Sequence, residues 1–164
     1  MIITHNAQYP PAPLSATRYY SNTPVLSSNA AVPAGCPLTY AMAVNRYDTQ
    51  IFLPANWFPS RLPGFVMLEV SGYIAANDGT KTNSCGFFLR WGSAYSNTPP
   101  NGYDASAVVN LAPVDYSTWK PFKLVVRGTV PSNGTGMVTV NINSNNDGTG
   151  TNWWIAGMTL RKLQ

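Results

Sequence analysis

The chain has 164 residues, enough for one domain that buries most of its apolar surface without disulfides or metals. Only 10% of the residues are charged while 12% are aromatic, so Asn, Thr and Ser must supply the polar surface, and with Glu69 the only glutamate, long helices held by Glu–Lys pairs are excluded. The formal charge of +4 comes from Lys and Arg scattered singly or in pairs, which excludes the dense basic stripe that a nucleic-acid partner requires.

Residues 1–37 are set apart by Pro10, Pro11, Pro13, Pro24, Pro33 and Pro37 among Ser, Thr, Ala and Asn. Proline at this density cannot pair inside a sheet, so an extended N-terminal arm is expected, with short edge strands at Thr17 to Tyr20 and Val25 to Ser27. Ile2, Ile3, Leu14, Tyr19, Tyr20 and Val25 make the arm too apolar for a solvated tail, and it is expected to lie over the domain or reach a neighbouring subunit. Met1 to Asn6 carry no basic region leading into an apolar run, and no apolar run approaches a membrane span. Synthesis in the cytosol without an export signal, and no membrane partner, are the expectations.

Residues 38–164 read as a β-sandwich domain. Leu38 to Asn45 and Gln50 to Phe58 predict a hairpin around Arg46 to Thr49, its second strand cut short at Pro54. Phe65 to Ala75 predicts a central strand, with Val66, Leu68, Val70 and Ile74 on one side and Phe65, Met67, Glu69, Ser71 and Tyr73 on the other. After the Asn77-Asp78-Gly79-Thr80 turn, Cys85 to Trp91 places Phe87, Leu89 and Trp91 inward and Phe88 and Arg90 outward, where Arg90 is expected to pair with Glu69 across strands. Gly92 to Tyr103 is the longest loop, and Ala105 to Leu111 returns as a strand.

From Trp119 onward the alternation is the most regular in the chain. Phe122, Leu124 and Val126 alternate with Lys123, Val125 and Arg127, and Val138, Val140 and Ile142 alternate with Thr139, Asn141 and Asn143. Pro131 and Asn133-Gly134 lie between them, so a hairpin is expected there. A last strand carries Trp154, Ala156, Met158 and Leu160 on one face, with Trp153 on the opposite side. The spacing of strands and turns indicates an all-β, antiparallel sandwich.

Trp119 opening a strand, the Val130-Pro131 turn, the hydrophobic strand after it and the closing Trp154-Ile155-x-x-Met158-x-Leu160 strand resemble the C-terminal half of jelly-roll domains of the carbohydrate-binding-module type. Such domains recur in bacteriophage tail fibres and other virion appendages. The resemblance implies a jelly roll over residues 64–163. Many of those modules have an Asp in the last strand where this chain has Ile155-Ala156-Gly157, so no metal or ligand role is carried over to that strand.

Histidine-based nucleophilic catalysis has only His5 to draw on, within the proline-rich arm. Glycoside hydrolysis needs two neighbouring carboxyls, and of Asp48, Glu69, Asp78, Asp104, Asp115 and Asp147 only Glu69 lies mid-strand. Asn143-x-Asn145-x-Asp147-Gly148 begins like a calcium loop but has Trp154 where a bidentate Glu is needed. No metal, cofactor or catalytic residue is therefore assigned. Cys36 and Cys85 read as small buried hydrophobes rather than a bridge, with pairing left open. Sugar rings stack on aromatics while their hydroxyls pair with short polar side chains. That singles out Tyr95 and Tyr103, with Asn97, Asn101 and Asp104 interleaved, and Trp153 as a further glycan contact; strand alternation aims Trp91 at the core.

The first functional expectation is a non-enzymatic bacteriophage virion protein, a capsid decoration or a tail fibre or spike module located in the virion. It would assemble with sister subunits as a homotrimer and hold other virion proteins through its arm. The alternative is a carbohydrate-binding module for a cell-surface glycan such as host surface polysaccharide, and a second alternative is a small glycan-degrading enzyme.

Overall fold

The computed structural model describes residues 2–4, 25–44, 49–53, 57, 59–80, 83–91, 102–103, 108–132, 138–144 and 153–163. Eleven strands follow in chain order: β1 (Ile2–Thr4), β2 (Val25–Leu26), β3 (Tyr40–Val44), β4 (Thr49–Phe52), β5 (Gly64–Ala76), β6 (Cys85–Trp91), β7 (Gly102–Tyr103), β8 (Val109–Leu111), β9 (Lys120–Val130), β10 (Val138–Ser144) and β11 (Trp153–Lys162). A short 3-10 turn, Pro113–Tyr116, precedes β9. The expected all-β antiparallel sandwich is found. The larger sheet runs β2-β3-β11-β5-β9 with β1 beside β11, and the smaller runs β4-β10-β6-β7 with β8 also beside β6.

Both expected hairpins are replaced by crossings between sheets. β3 pairs with β2 and β11, whereas β4 pairs with β10. Likewise β9 pairs with β5, and β10 with β6 and β4. The alternating side chains are right in each case, because alternation fixes which residues face the core and leaves the partner strand open. A turn can return the chain to the same sheet or carry it to the facing one, as in a Greek key.

The core fills the space between the sheets. Val66, Leu68, Val70 and Ile74 of β5 meet Phe87 and Leu89 of β6, as their alternation predicted. Phe87 and Phe122 bring the sheets together with ring centroids 5.4 Å apart, a separation at which tilted aromatic pairs are favourable. Trp91 joins this core, as expected. Phe88 and Arg90, expected outward, are each only 6% exposed, so β6 is covered on both faces.

β11 breaks its own alternation. Between Ala156, opposite Tyr73, and Thr159, opposite Ser71, the register slips by one residue, and Gly157 there has φ +59°. An extra residue led by a left-handed glycine is a β-bulge, and only glycine adopts that φ without strain. Across from it, a Cβ on Gly72 would lie 3.0 Å from the Ala156 carbonyl, so the two strands approach closely at a pair of glycines. The slip corrects the predicted face: Trp153, Ile155, Met158 and Leu160 enter the main core, while Trp154 and Ala156 point out of the sandwich.

Part of the proline-rich segment covers that outward pair. Val32 packs on Ala41, Trp154 and Ala156, with Val25, Cys36, Leu38 and Trp119 around them. The Trp119 indole Nε1 donates to the Pro33 carbonyl at 2.8 Å, tying the segment to the start of β9. The predicted edge strand at Val25 is present as β2, and β1 lies along β11. Thr17 to Tyr20 lie outside the described residues. Cys36 and Cys85 are free thiols that sit in different apolar clusters, Cys36 against the outer one and Cys85 in the main core. Burial pushes the thiols of both upward, Cys85 far more than Cys36.

Replacing Gly157 with Ala should cost about 1–2 kcal/mol from the left-handed backbone. Its new Cβ also falls 2.5 Å from Leu38 Cδ1, the mobile end of a side chain. Urea denaturation of Gly157→Ala and of Gly157→Ala with Leu38→Ala separates the two causes. Backbone strain predicts no recovery in the double variant, and full recovery would assign the loss to the contact.

Candidate functional site

Three surfaces are candidates for a ligand. The first is the outer face of the smaller sheet, next to the loop singled out by its tyrosines and amides. That loop leaves β6 at Trp91 and returns in β7, where Trp91 stands opposite Gly102 and Arg90 opposite Tyr103. Arg90 is in turn opposite Thr139, and Thr139 opposite Phe52, so four strands contribute one row: Phe52, Thr139, Arg90, Tyr103. The neighbouring row is Gln50, Asn141, Phe88, followed by Asn143, Gly86, Asn110. Residues paired across antiparallel strands share a face, so these register positions belong to one face of the smaller sheet. Tyr95, Asn97, Asn101 and Asp104 lie outside the described residues, and of Tyr103 the backbone position is described.

Trp153 is the correction among the predicted contacts. It is 0% exposed in the main core, with its ring 6.2 Å from that of Tyr116. The alternation between Trp153 and Trp154 was read properly, but the bulge after Ala156 gives Trp153 the inner face. A side chain at that depth packs the sandwich and presents nothing to a ligand.

The second surface is an open cleft of about 840 Å³ formed by residues 27–34, the end of β5 and residues 117–118. Ser27, Asn29, Val32, Asn77, Ser117 and Thr118 line it, an uncharged mixture of hydroxyl, amide and apolar groups. Asn29 Oδ1 already accepts from the Ala31 backbone N–H at 2.9 Å, and no aromatic ring is among the lining residues. Sequence reading misses this cleft because its walls come from distant segments joined only when Trp119 bonds to Pro33.

The third surface is the open part of the larger sheet's outer face, where Glu69 is the electrostatic hub. Its Oε2 lies 3.0 Å from both Lys123 Nζ and Arg161 Nη2. Arg90, the partner expected from sequence, is in the smaller sheet, since β5 and β6 are not paired. The Lys123 hydrogen bond, with Arg161 assisting, holds the Glu69 carboxyl below its ordinary value. Asp78 serves its own turn, its Oδ1 accepting from Thr80 N and Oγ1 at 2.9 and 2.6 Å. No cluster of three or more His, Cys, Asp or Glu suited to a metal occurs among the described residues. Asp48, Asp104, Asp147 and the Asn143-to-Gly148 loop beyond Ser144 lie outside them.

Neither a protein-family model nor a curated protein matches the chain. Solved structures do. The CBM22-1 xylan-binding domain from Paenibacillus barcinonensis Xyn10C is 11% identical, over 99% of this chain and 94% of that one, with a TM-score of 0.55. A family 16 carbohydrate-binding module is 14% identical over 87% of this chain and 86% of that one, at a TM-score of 0.46. At such identities the likeness speaks to the fold, and the xylan-binding domain, at a TM-score of 0.55, bears out the sandwich.

A carboxylate held below its ordinary 4.5 contributes stability that is present above that value and is lost as pH falls through the lower folded value. Urea midpoints taken between about pH 7 and pH 3 should therefore decline on the acid side. Glu69→Gln should flatten that decline, and an unchanged acid limb would remove Glu69 as its source.

Proposed function

We propose that the chain is a non-catalytic carbohydrate-binding module whose glycan lies along the outer face of the smaller sheet, against the 92–104 connection. The observation that carries this reading is the matched rows of positions on that face. They set Tyr103 at the rim of a surface built from Gln50, Thr139, Asn141, Asn143 and Asn110. Amides and hydroxyls pair with sugar hydroxyls as both donor and acceptor, and a tyrosine ring stacks on the flat C–H face of a pyranose. Phe88 and Arg90, each 6% exposed, are buried beneath this face and are not among the ligand contacts. Tyr95, Tyr103, Asn97, Asn101 and Asp104 are its ligand contacts, without Trp153.

This ordering puts first the alternative that sequence alone placed second. The fold likeness to a xylan-binding domain supports it, and no comparable likeness supports a virion setting, a trimer or docking through the arm. The glycanase alternative ranks last, since Glu69, the mid-strand carboxylate, is committed to two cations on the other sheet.

A glycan array with the parent chain and with Tyr95→Ala and Tyr103→Ala tests the site. Both variants should lose binding while the melting temperature stays nearly unchanged, because the sequence puts Tyr95 within the connection and Tyr103 at its end. Trp91→Ala, a core truncation, should instead cost about 3–5 kcal/mol of stability. Parental binding by both tyrosine variants, or no binding by the parent, overturns the proposal.

A further inference from the structure

Among the described residues, the outer face of the larger sheet is covered over its β3 half and open over its β5–β9 half. Segment 25–38 seals the first part on Trp154 and Ala156. Beyond the bulge, nothing among the described residues covers β5 and β9. Their outward positions pair as Tyr73 with Pro121, Ser71 with Lys123, Glu69 with Val125, Met67 with Arg127 and Phe65 with Thr129. Tyr73 and Phe65, at the two ends of this stripe, are 38% and 41% exposed. Eight residues of strand separate them, about 26 Å. Between them Lys123 and Arg127 are exposed, and Arg161 reaches in from β11 opposite Glu69. Three cations against one carboxylate leave a surplus of positive charge, and Glu69 is already neutralised by two of them.

We propose that this stripe is a second binding surface that takes an acidic polysaccharide, a chain of uronic acid sugars running along β5 and β9. Charge decides among the occupants. A second copy laid face to face would oppose the same surplus of cations, which is repulsive. A nucleic acid is held by many cations on its phosphates at once, whereas this stripe offers three, of which Lys123 and Arg161 already face Glu69. Surplus cations between two exposed rings match a polymer that offers both a carboxylate and an apolar, stackable face on its sugars. This surface is on the sheet opposite the one that carries Tyr103, so it is independent of the glycan site proposed above.

Polygalacturonate, and the same polymer with its carboxyls methyl-esterified, are the probes. The parent chain should bind the acid form, weaken as salt rises, and bind the ester poorly. Lys123→Ala with Arg127→Ala should lower affinity for the acid form about threefold to tenfold at low salt, as loss of two exposed charge contacts does. Tyr73→Ala should also weaken it, Tyr103→Ala should not, and melting temperatures should stay near the parent's because these side chains are on the surface. Equal binding of acid and ester, no binding of the acid, or an unchanged affinity in the double variant overturns the proposal. So does tighter binding of single-stranded DNA, or self-association in sedimentation that the double variant abolishes. Loss of array binding in Tyr103→Ala with no polygalacturonate binding would leave the first site standing and remove this one.

Discussion

The residue that Gly157 adds to β11 decides what each side of the larger sheet can do. Ahead of it, odd-numbered Trp153 and Ile155 fill the sandwich while Trp154 and Ala156 look outward; beyond it, even-numbered Met158 and Leu160 fill the sandwich. Without the slip one half of the strand would turn its large side chains into water. The close approach of Gly72 to the Ala156 carbonyl makes room for the irregularity, so two glycines from separate strands share one feature. One consequence is a second small core, since an outward Trp154 must be covered, and residues 25–38 cover it. The proline-rich segment therefore has a structural role over its described part: its backbone cannot join a central strand, but its Val32 and Leu38 can cap an indole.

The division of strands between sheets has a similar bearing on the proposed glycan site. Because β9 and β10 separate, β10 stands between β4 and β6, and positions 139, 141 and 143 fall in register with positions from four other strands, β4, β6, β7 and β8. A β9–β10 hairpin would have put these amides beside Lys123 and Arg127 instead. The partition keeps an amide-rich, weakly charged face on one sheet and a cationic face on the other.

Much of the packing could be read from the sequence by period alone. Val66, Leu68, Val70 and Ile74, Phe87, Leu89 and Trp91, and Phe122 and Val126 all lie where a two-residue repeat puts them, because a strand with one face on a core cannot shift by one position without exposing that face. Composition determined the absence of Glu–Lys helices and the resort to neutral polar side chains. The Asp78 turn was legible as an Asx-type signal.

Strand pairing was not legible, and the misreadings follow from it. Glu69 and Arg90 have the right charges and parity to pair, yet they lie in different sheets, and Glu69 finds Lys123 and Arg161 instead. Trp153 was placed on the open side because alternation was continued through Gly157, where a one-residue insertion reverses it. Sequence determined the faces of individual strands, since side-chain alternation is a local property of extended backbone. Which strands neighbour one another, where the register slips, and hence which rings and charges share a surface were decided by tertiary structure, because hydrogen-bond ladders form between backbones that are alike at every residue and only the packing of the whole sandwich selects among them.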